Sequence, residues 1–177
     1  MRICVVGMGS IGRRHVRELS AQDPKVLIYS VRSGAGPACV EDNLVKKNFN
    51  SVSEAIKGGI DAAIVCTPST LHVAQTSQFL RNNIPVLVEK PVSDSLSDLD
   101  EIIELNNGCY PFVLVGYVLR YLRGIDLVKA LLQQMESIHY VQIDSGSYLP
   151  SWRPGKDYTK SVSTSRALGG GVIAEMS

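Results

Sequence analysis

Short runs of β-branched residues alternate with helix-forming patterns over residues 1–119 of this 177-residue chain. Such alternation is typical of βαβ units, in which crossover helices join the strands of a parallel sheet. We therefore predict an α/β fold with a Rossmann-type, doubly wound parallel sheet. The predicted strands are residues 2–6, 25–31, 47–49, 62–66, 86–89 and 112–117.

Helices are predicted to connect these strands. The first three cover residues 13–20, 53–57 and 71–82. Thr70 has a side chain suited to cap the third of these helices. Ser95 and Asp98 form a capping-box pattern, which predicts a fourth helix that ends near Gly108.

The pattern changes beyond residue 120. A helical spacing of apolar residues over 125–132 is followed by an alternating run over 138–149, which is typical of a half-exposed strand. We therefore predict two domains, a complete α/β domain over 1–119 and the start of an α+β domain over 120–177. The second part is too short for an ordinary independent domain, so we expect it to be incomplete.

Composition excludes several classes of function. The chain has 18 Lys and Arg against 17 Asp and Glu, so it lacks the basic excess of a nucleic-acid or anionic-membrane binder. No apolar run reaches the ~20 residues that span a bilayer, and no signal peptide is recognisable. The spacing of the cysteines predicts small core residues in a reducing cytoplasm, with neither metal site nor disulfide. These cysteines are Cys4, Cys39, Cys66 and Cys109.

A G-x-G-x-x-G run directly follows the first predicted strand and opens the first helix. In a dinucleotide-binding fold, Gly7 permits the tight turn, Gly9 lets the backbone approach a pyrophosphate, and Gly12 allows close packing of helix on strand. The backbone N–H groups of the helix start, from Ser10 and Ile11 onward, then face the phosphates. The alternative is an ordinary structural turn.

The end of the second strand lacks the carboxylate that usually holds the ribose 2′-hydroxyl of NAD, since no acidic residue occurs before Glu41. Ser30, Arg32 and Ser33 stand there instead, and an arginine suits a 2′-phosphate by charge and geometry. This favours NADP over NAD as the cofactor. The alternative is that Arg32 is a solvated loop residue.

Two further segments follow the fourth and fifth predicted strands, namely Cys-Thr-Pro-Ser-Thr-Leu-His at 66–72 and Glu-Lys-Pro at 89–91. With the glycine loop, they resemble the glucose–fructose oxidoreductase/inositol dehydrogenase/MocA (Gfo/Idh/MocA) family of NAD(P)-dependent oxidoreductases. The resemblance runs through the whole chain. Its other matching segments are 116–120, 145–148, 152–155 and 169–171.

The resemblance implies a cofactor site along the ends of the fourth and fifth strands. Thr67 and Pro68, with Cys66 before them, would lie along the nicotinamide half of the cofactor. His72 would begin the next helix near them, although a histidine on the helix surface is the simpler physical interpretation.

Glu89 and Lys90 match the family's Glu-Lys-Pro signature, in which the lysine contacts both the substrate and the cofactor ribose. An ammonium beside the reacting hydroxyl stabilises the alkoxide that develops as hydride leaves, so Lys90 is a predicted catalytic residue. The alternative is a solvated lysine at a strand end. The sequence leaves open whether the Lys90–Pro91 bond is cis or trans.

Three residues are candidate substrate contacts through the same resemblance. Tyr117 lies in the matching segment after the sixth strand, while Trp152 and Arg153 lie in a polar loop of the second part. A tryptophan can stack on a sugar ring, and an arginine can clamp a carboxylate or phosphate. A loop anchored by one buried Trp is an equally good interpretation.

The sequence departs from the family where the acid/base histidine is expected. The family has an aspartate after the glycine triplet and a histidine three residues later. Glu175 stands at the aspartate position here, so the resemblance implies that it is a catalytic residue along with Lys90, and the given chain ends at Ser177. Neither His15 nor His139 matches the acid/base position. Because such a group contributes ~10²–10⁴-fold in rate, we expect the chain as given to be impaired, as a segment of a longer enzyme or a natural truncation.

The combined expectation is an NAD(P)-dependent oxidoreductase acting on a sugar, sugar nucleotide or polyol. The alternative is a dinucleotide-binding module without catalysis. A small-molecule substrate is the expected partner, and a family-like homo-oligomer is expected only with a complete second domain.

Overall fold

The computed structural model describes residues 1–34, 38–106, 112–146, 148–151, 155, 157–168 and 170–171. The chain divides into two compact units, Met1–Gly116 (unit 1) and Tyr117–Ser177 (unit 2). No helix in the described ranges is both long and apolar enough to cross a bilayer.

The described part of unit 1 contains a six-stranded, fully parallel sheet. Its strands are β1 Arg2–Val6, β2 Leu27–Val31, β3 Lys47–Phe49, β4 Ala62–Val65, β5 Val86–Val88 and β6 Val113–Val115. The strand order β3-β2-β1-β4-β5-β6 reverses direction at β1, so a crevice is expected outside the carboxyl ends of β1, β2 and β4. The predicted α/β, doubly wound fold is confirmed.

Helices cover the sheet and account for its core. The described α-helices are α1 Ser10–Gln22, α2 Val52–Lys57, α3 His72–Leu80, α4 Leu99–Asn106 and, in unit 2, α5 Arg123–Leu132. In β1, Ile3 and Val5 pack into one apolar cluster, and Cys4 and Val6 into the other. Because neighbouring side chains of a strand point to opposite faces, both faces of the sheet are buried, and this explains the continuous apolar run of β1.

Three predicted helix starts differ from the structure. Helix α1 begins three residues before the predicted residue 13, since Gly9 serves as its N-cap and the Arg13 N–H donates to the Gly9 carbonyl at 3.0 Å. Thr70 does not cap α3, because a 3₁₀ turn over Ser69–Leu71 precedes it and places Leu71 at the N-cap.

The capping box at Ser95 is likewise not formed. A 3₁₀ turn over Leu96–Asp98 precedes α4, and the Ser95 hydroxyl bonds to the Ser97 hydroxyl at 2.8 Å. In all three cases the pattern indicates the right helix. The tighter hydrogen bonding of a 3₁₀ turn or the backbone freedom of glycine decides where the helix begins.

Unit 2 contains α5, as predicted, and several 3₁₀ turns. The predicted strand over 138–149 is not formed in its described residues, which are irregular and exposed up to residue 148, while Leu149 begins a 3₁₀ turn over Leu149–Ser151. A strand needs a neighbour to satisfy its backbone N–H and C=O groups, and the described part of unit 2 offers none. The alternating pattern of this run is therefore not sufficient to form a strand here.

Candidate functional site

Five strands of unit 1 are each followed directly by a residue that the sequence places in a motif or candidate site. The backbone N–H of each of these residues continues the ladder by donating to a neighbouring strand or its end, at 2.8–3.1 Å. The five residues, defined here as the carboxyl edge, are Gly7, Arg32, Cys66, Glu89 and Gly116. The parallel sheet thus brings the glycine loop, the Cys-Thr-Pro turn and the Glu-Lys-Pro signature to one edge, as predicted for a dinucleotide fold.

The local fold requires glycine at two positions of the loop, independently of any ligand. Gly7 has φ +90°, and a Cβ there would lie 3.0 Å from the carbonyl carbon and oxygen of Cys66. A Cβ on Gly12 would overlap the Gly7 carbonyl oxygen, so only glycine lets α1 pack this closely on the loop. Both residues are therefore needed for the local fold, whatever binds there.

Gly9 is different. It has an ordinary φ of −68°, and a Cβ there would meet no atom of the described residues within 4 Å. It stands at the N-terminus of α1, where no described side chain caps the helix, so backbone N–H groups of the first turn have no partner from a cap. The open space over Gly9 and these N–H groups fit the phosphates of a dinucleotide, and the roles of Gly9, Ser10 and Ile11 remain predictions.

The end of β2 holds an ion pair that the sequence did not reveal. The Arg32 Nη1 atom lies 2.8 and 2.9 Å from the two carboxylate oxygens of Asp42, and the Arg32 side chain is only 17% exposed. The interpretation of Arg32 as a solvated loop residue is therefore wrong. The backbone N–H of Cys39, and then the Arg32 guanidinium, lower the pKa of Asp42, so its carboxylate is held ionised.

The two serines near Arg32 differ in exposure. Ser30 is fully buried and its hydroxyl donates to the Asn48 side-chain oxygen, whereas Ser33 is exposed. Of the two hydroxyls, only that of Ser33 is therefore accessible to a ligand in this conformation.

An open depression of about 580 Å³ lies beside the first turn of α1. Arg13 lines it on one side and residues 38–41 on the other. Glu41 is 8% exposed and forms an ion pair with Arg17. Its own backbone N–H and the Arg17 guanidinium lower the pKa of the Glu41 carboxyl, so this depression has a carboxylate on its wall.

His72 is buried, 2% exposed, and bonded at both ring nitrogens. Its Nδ1 lies 2.7 Å from the Pro91 carbonyl oxygen and its Nε2 lies 2.7 Å from the Thr67 carbonyl oxygen. The interpretation as a helix-surface histidine is therefore wrong, because the 3₁₀ turn before α3 starts the helix at residue 72 with that side chain inward. The Thr67 hydroxyl donates to the Gln75 side-chain oxygen at 2.6 Å, one helical turn further on.

The Glu-Lys-Pro signature is held by a second histidine. His15, on α1, places its Nε2 atom 2.7 Å from Glu89 Oε1, and the two side chains are 23% and 14% exposed. A Cβ on Gly116 would lie 3.1 Å from Glu89 Oε2, so the absence of a side chain there leaves room for this carboxylate. Lys90 is exposed, and the Lys90–Pro91 bond is cis.

Cys4 and Cys66 are buried core residues, as predicted, whereas Cys39 is only half-buried and belongs to neither apolar cluster, and Cys109 lies outside the described residues. Burial raises the pKa of the Cys4 thiol to about 12, and burial followed by the negative charge of Glu89 raises the pKa of Cys66 still further. Both thiols are therefore protonated at neutral pH, and Cys66 contributes a backbone wall to the crevice and not a nucleophile. The described residues contain no cluster of three or more metal-binding side chains.

The predicted substrate contacts other than Lys90 lie in unit 2. Tyr117 is 40% exposed, with the Arg120 guanidinium 5.6 Å from the centre of its ring. Trp152, Arg153 and Glu175 lie outside the described residues. Their predicted roles remain predictions.

Comparison with known proteins places the chain in a family. The family model described as "Oxidoreductase family, NAD-binding Rossmann fold", Gfo/Idh/MocA, matches residues 1–117. A myo-inositol 2-dehydrogenase from Thermotoga maritima is 27% identical over 181 residues, covering 99% of this chain and 51% of that protein. An inositol 2-dehydrogenase from Corynebacterium glutamicum is 26% identical over 168 residues, covering 92% and 49%. The chain spans about half the length of these curated relatives.

Solved structures agree on the fold. A scyllo-inositol dehydrogenase from Lactobacillus casei with bound NAD(H) and scyllo-inositol superposes with a TM-score of 0.66 at 20% identity, over 76% of this chain and 41% of that one. The WlbA dehydrogenase from Bordetella pertussis, in complex with NADH and UDP-GlcNAcA, gives 0.66 at 22% identity, over 76% and 40%. With the glycine loop and Glu-Lys-Pro signature at one sheet edge, the chain belongs to the Gfo/Idh/MocA oxidoreductase family, with an NAD-binding Rossmann fold.

Proposed function

We propose that unit 1 binds NAD or NADP across the carboxyl edge, as the cofactor-binding domain of a cytoplasmic dehydrogenase. The reaction would transfer hydride between the nicotinamide and a hydroxyl or carbonyl of a sugar, sugar nucleotide or polyol. The observation that carries the proposal is Gly9, where an uncapped helix start faces open space that the protein itself leaves unfilled. The names of the relatives, with inositol and UDP-GlcNAcA among their ligands, support the substrate class.

The residues of unit 1 have distinct parts in this proposal. The first-turn N–H groups of α1 bind the pyrophosphate, and Thr67 and Pro68 flank the nicotinamide, which supplies or accepts the hydride when bound. Lys90 orients the substrate hydroxyl and stabilises the developing alkoxide. We further propose that residues 120–177, with Tyr117, Trp152, Arg153 and Glu175, begin the substrate domain, whose oligomeric assembly requires its complete sheet.

The Arg32–Asp42 pair bears on the choice of cofactor. Arg32 alone favours NADP, but a guanidinium already held by a carboxylate has less positive potential to offer a 2′-phosphate. Asp42 would also repel that phosphate, whereas it can accept a hydrogen bond from a 2′-hydroxyl. The pair therefore supports NAD as the preferred cofactor.

The test is a fluorescence titration of the purified chain with NADH and with NADPH. Gly9→Val should weaken NADH binding at least tenfold while lowering the melting temperature only modestly, because its Cβ enters space that the described residues leave open and the cost is that of valine at an N-cap. Gly146→Val is the matched control, since a Cβ there also meets nothing within 4 Å and lies in unit 2. Wild-type protein that binds neither dinucleotide would contradict the proposal.

The cofactor preference has its own experiment. Asp42→Asn should raise the affinity for NADPH relative to NADH, because it removes the carboxylate that holds Arg32. Asp61→Asn is the control, as Asp61 pairs with Arg2 beside the amino end of β4. A wild type that already prefers NADPH would restore the interpretation that Arg32 binds the 2′-phosphate.

The alternative of a dinucleotide-binding module without catalysis predicts the same NADH titration. The two hypotheses differ in the turnover they predict, because a module without catalysis would oxidise no polyol or sugar nucleotide in the presence of NAD. Because the 177-residue chain is itself expected to be impaired, the complete gene product is tested on a panel of inositols and UDP-sugars. Steady absorbance at 340 nm, together with tight NADH binding, would favour this alternative.

A further inference from the structure

Two histidines from different helices reach the residues on either side of Lys90. His15 of α1 bonds to the side chain of Glu89, and His72 of α3 bonds to the backbone carbonyl of Pro91, each at 2.7 Å. Lys90 stands between these two anchored neighbours. No local pattern in the sequence predicts this, because the contacts join residues 74 and 19 positions apart.

The two ring nitrogens of His72 each face a backbone carbonyl oxygen. Nδ1 lies 2.7 Å from the Pro91 oxygen and Nε2 lies 2.7 Å from the Thr67 oxygen. Because a ring N–H donates and a carbonyl oxygen only accepts, His72 is placed to bond to the turn after β4 and to the turn after β5. The ring is 2% exposed, so water does not compete for these contacts.

His72 also ties two turns of the carboxyl edge together. Its Nε2 holds the Thr67 carbonyl, and Gln75, three residues later on α3, accepts from the Thr67 hydroxyl. Residues 72 and 75 lie on one face of the helix. The turn after β4 and the turn after β5 are thus fixed to the same helix, one through Thr67 and the other through Pro91.

We propose that His15 and His72 are positioning residues that hold Lys90 from both sides. The inference rests on the proposed role of Lys90 in binding cofactor and substrate, and neither histidine contacts a reacting atom. Each acts through a neighbour of Lys90. Anchoring both neighbours restricts the backbone of Lys90 before a ligand arrives, so less conformational entropy is lost on binding.

The first experiment follows Lys90 directly. Reductive methylation with ¹³C-formaldehyde labels the lysines, and Lys90→Arg assigns the Lys90 signal in a ¹H–¹³C spectrum. His15→Ala and His72→Gln should each shift and broaden that signal. His15→Gln, which keeps an N–H donor for Glu89, should largely restore it. His139→Gln in unit 2 should leave it unchanged, since His139 is exposed and bonds to Ser137, two residues away.

The second experiment measures NADH binding by the same variants. His15→Ala should weaken binding about tenfold, and His15→Gln should stay within about threefold of wild type. Thermal unfolding of each variant is recorded in parallel. Variants that lose thermal stability, yet keep the wild-type Lys90 signal and NADH affinity, would show that the two histidines stabilise the fold without positioning Lys90. That result would overturn the proposal.

If wild-type protein binds no dinucleotide, the proposed function fails, while the Lys90 signal still decides whether the two histidines position that residue.

Discussion

Apolar residues recur with regular spacing in both units, but they are buried in unit 1 and largely exposed in unit 2. In unit 1 the strands and helices bury residues on both faces of the sheet, with Phe79 and Val88 fully enclosed. In unit 2, α5 has strongly amphipathic spacing, yet Leu127 and Leu131 are 62% and 50% exposed. A periodic apolar pattern predicts which face of an element seeks burial, but burial itself needs a partner surface.

The sharpest way to test this contrast is a large-to-small substitution in each unit, beginning with unit 1. Phe79→Ala removes a fully buried ring that packs in the core beside Leu80 and Val86. We expect a loss of about 3–5 kcal/mol in the free energy of unfolding, from lost burial and the cavity left behind. Urea unfolding followed by circular dichroism measures it, and a loss below 1 kcal/mol would contradict the described core.

The glycine loop is expected to be the next most sensitive part of unit 1. Gly12→Ala places a methyl group on the Gly7 carbonyl oxygen, so the loop or α1 must move. We expect destabilisation of about 1–3 kcal/mol, together with loss of dinucleotide binding. Gly9→Ala provides the contrast, since its Cβ meets no described atom within 4 Å and it should cost no more than about 1 kcal/mol, the penalty for alanine at an N-cap. Equal destabilisation by the two substitutions would contradict the described packing of the loop.

Acid should destabilise unit 1 through its paired carboxylates. The pKa values of Glu41, Asp42 and Asp61 are all lowered in the folded state, by backbone N–H groups and by arginines. The unfolded chain then binds more protons than the folded chain, so stability is full above the unfolded values, about 4, and falls as the pH drops through the folded values. Melting temperatures measured from pH 6 to pH 2 should decline over that range.

Replacing one of these carboxylates supplies the control for the acid experiment. Asp42→Asn should flatten the decline, whereas Asp157→Asn in unit 2 should leave the slope for unit 1 unchanged. A melting temperature that stays constant down to pH 2 would contradict the described ion pairs.

The smallest expected effect lies on the exposed face of α5. Leu131→Ala should change stability by no more than about 0.5 kcal/mol, because the side chain is half exposed before the substitution. Hydrogen exchange resolved by peptide should also show strong protection for β1 and β4 and little for α5. A Leu131→Ala loss comparable to that of Phe79→Ala would show that this face is covered in solution.

The sequence was sufficient for the parts of the fold that depend on local pattern. All six strands lie within their predicted ranges, because parallel strands buried on both faces produce short, continuous β-branched runs. The alternating run over 138–149 was misleading, since pattern alone cannot report whether a neighbouring strand is present. Helix starts were missed by a few residues where glycine or a 3₁₀ turn replaced an ordinary cap.

The candidate site likewise has one part that the sequence predicts and another that it does not. The glycine loop and the Glu-Lys-Pro signature are contiguous motifs, so the sequence places them at the strand ends. The Arg32–Asp42 pair, the burial of His72 and the His15–Glu89 contact depend on side chains that meet only after folding. Their amino acids are ordinary surface types, and nothing in their spacing distinguishes them from solvated residues.

The parallel orientation of the sheet has a practical consequence for handling the protein. Every strand begins at one edge and ends at the other, and the candidate site lies at the carboxyl ends. Met1 precedes β1 at the amino edge, where Arg2 bonds to Asp61. A fluorophore or affinity tag attached at Met1 therefore sits at the far edge of unit 1 from Gly9 and Lys90. Immobilisation through that end would leave the crevice open to ligands in surface-binding measurements.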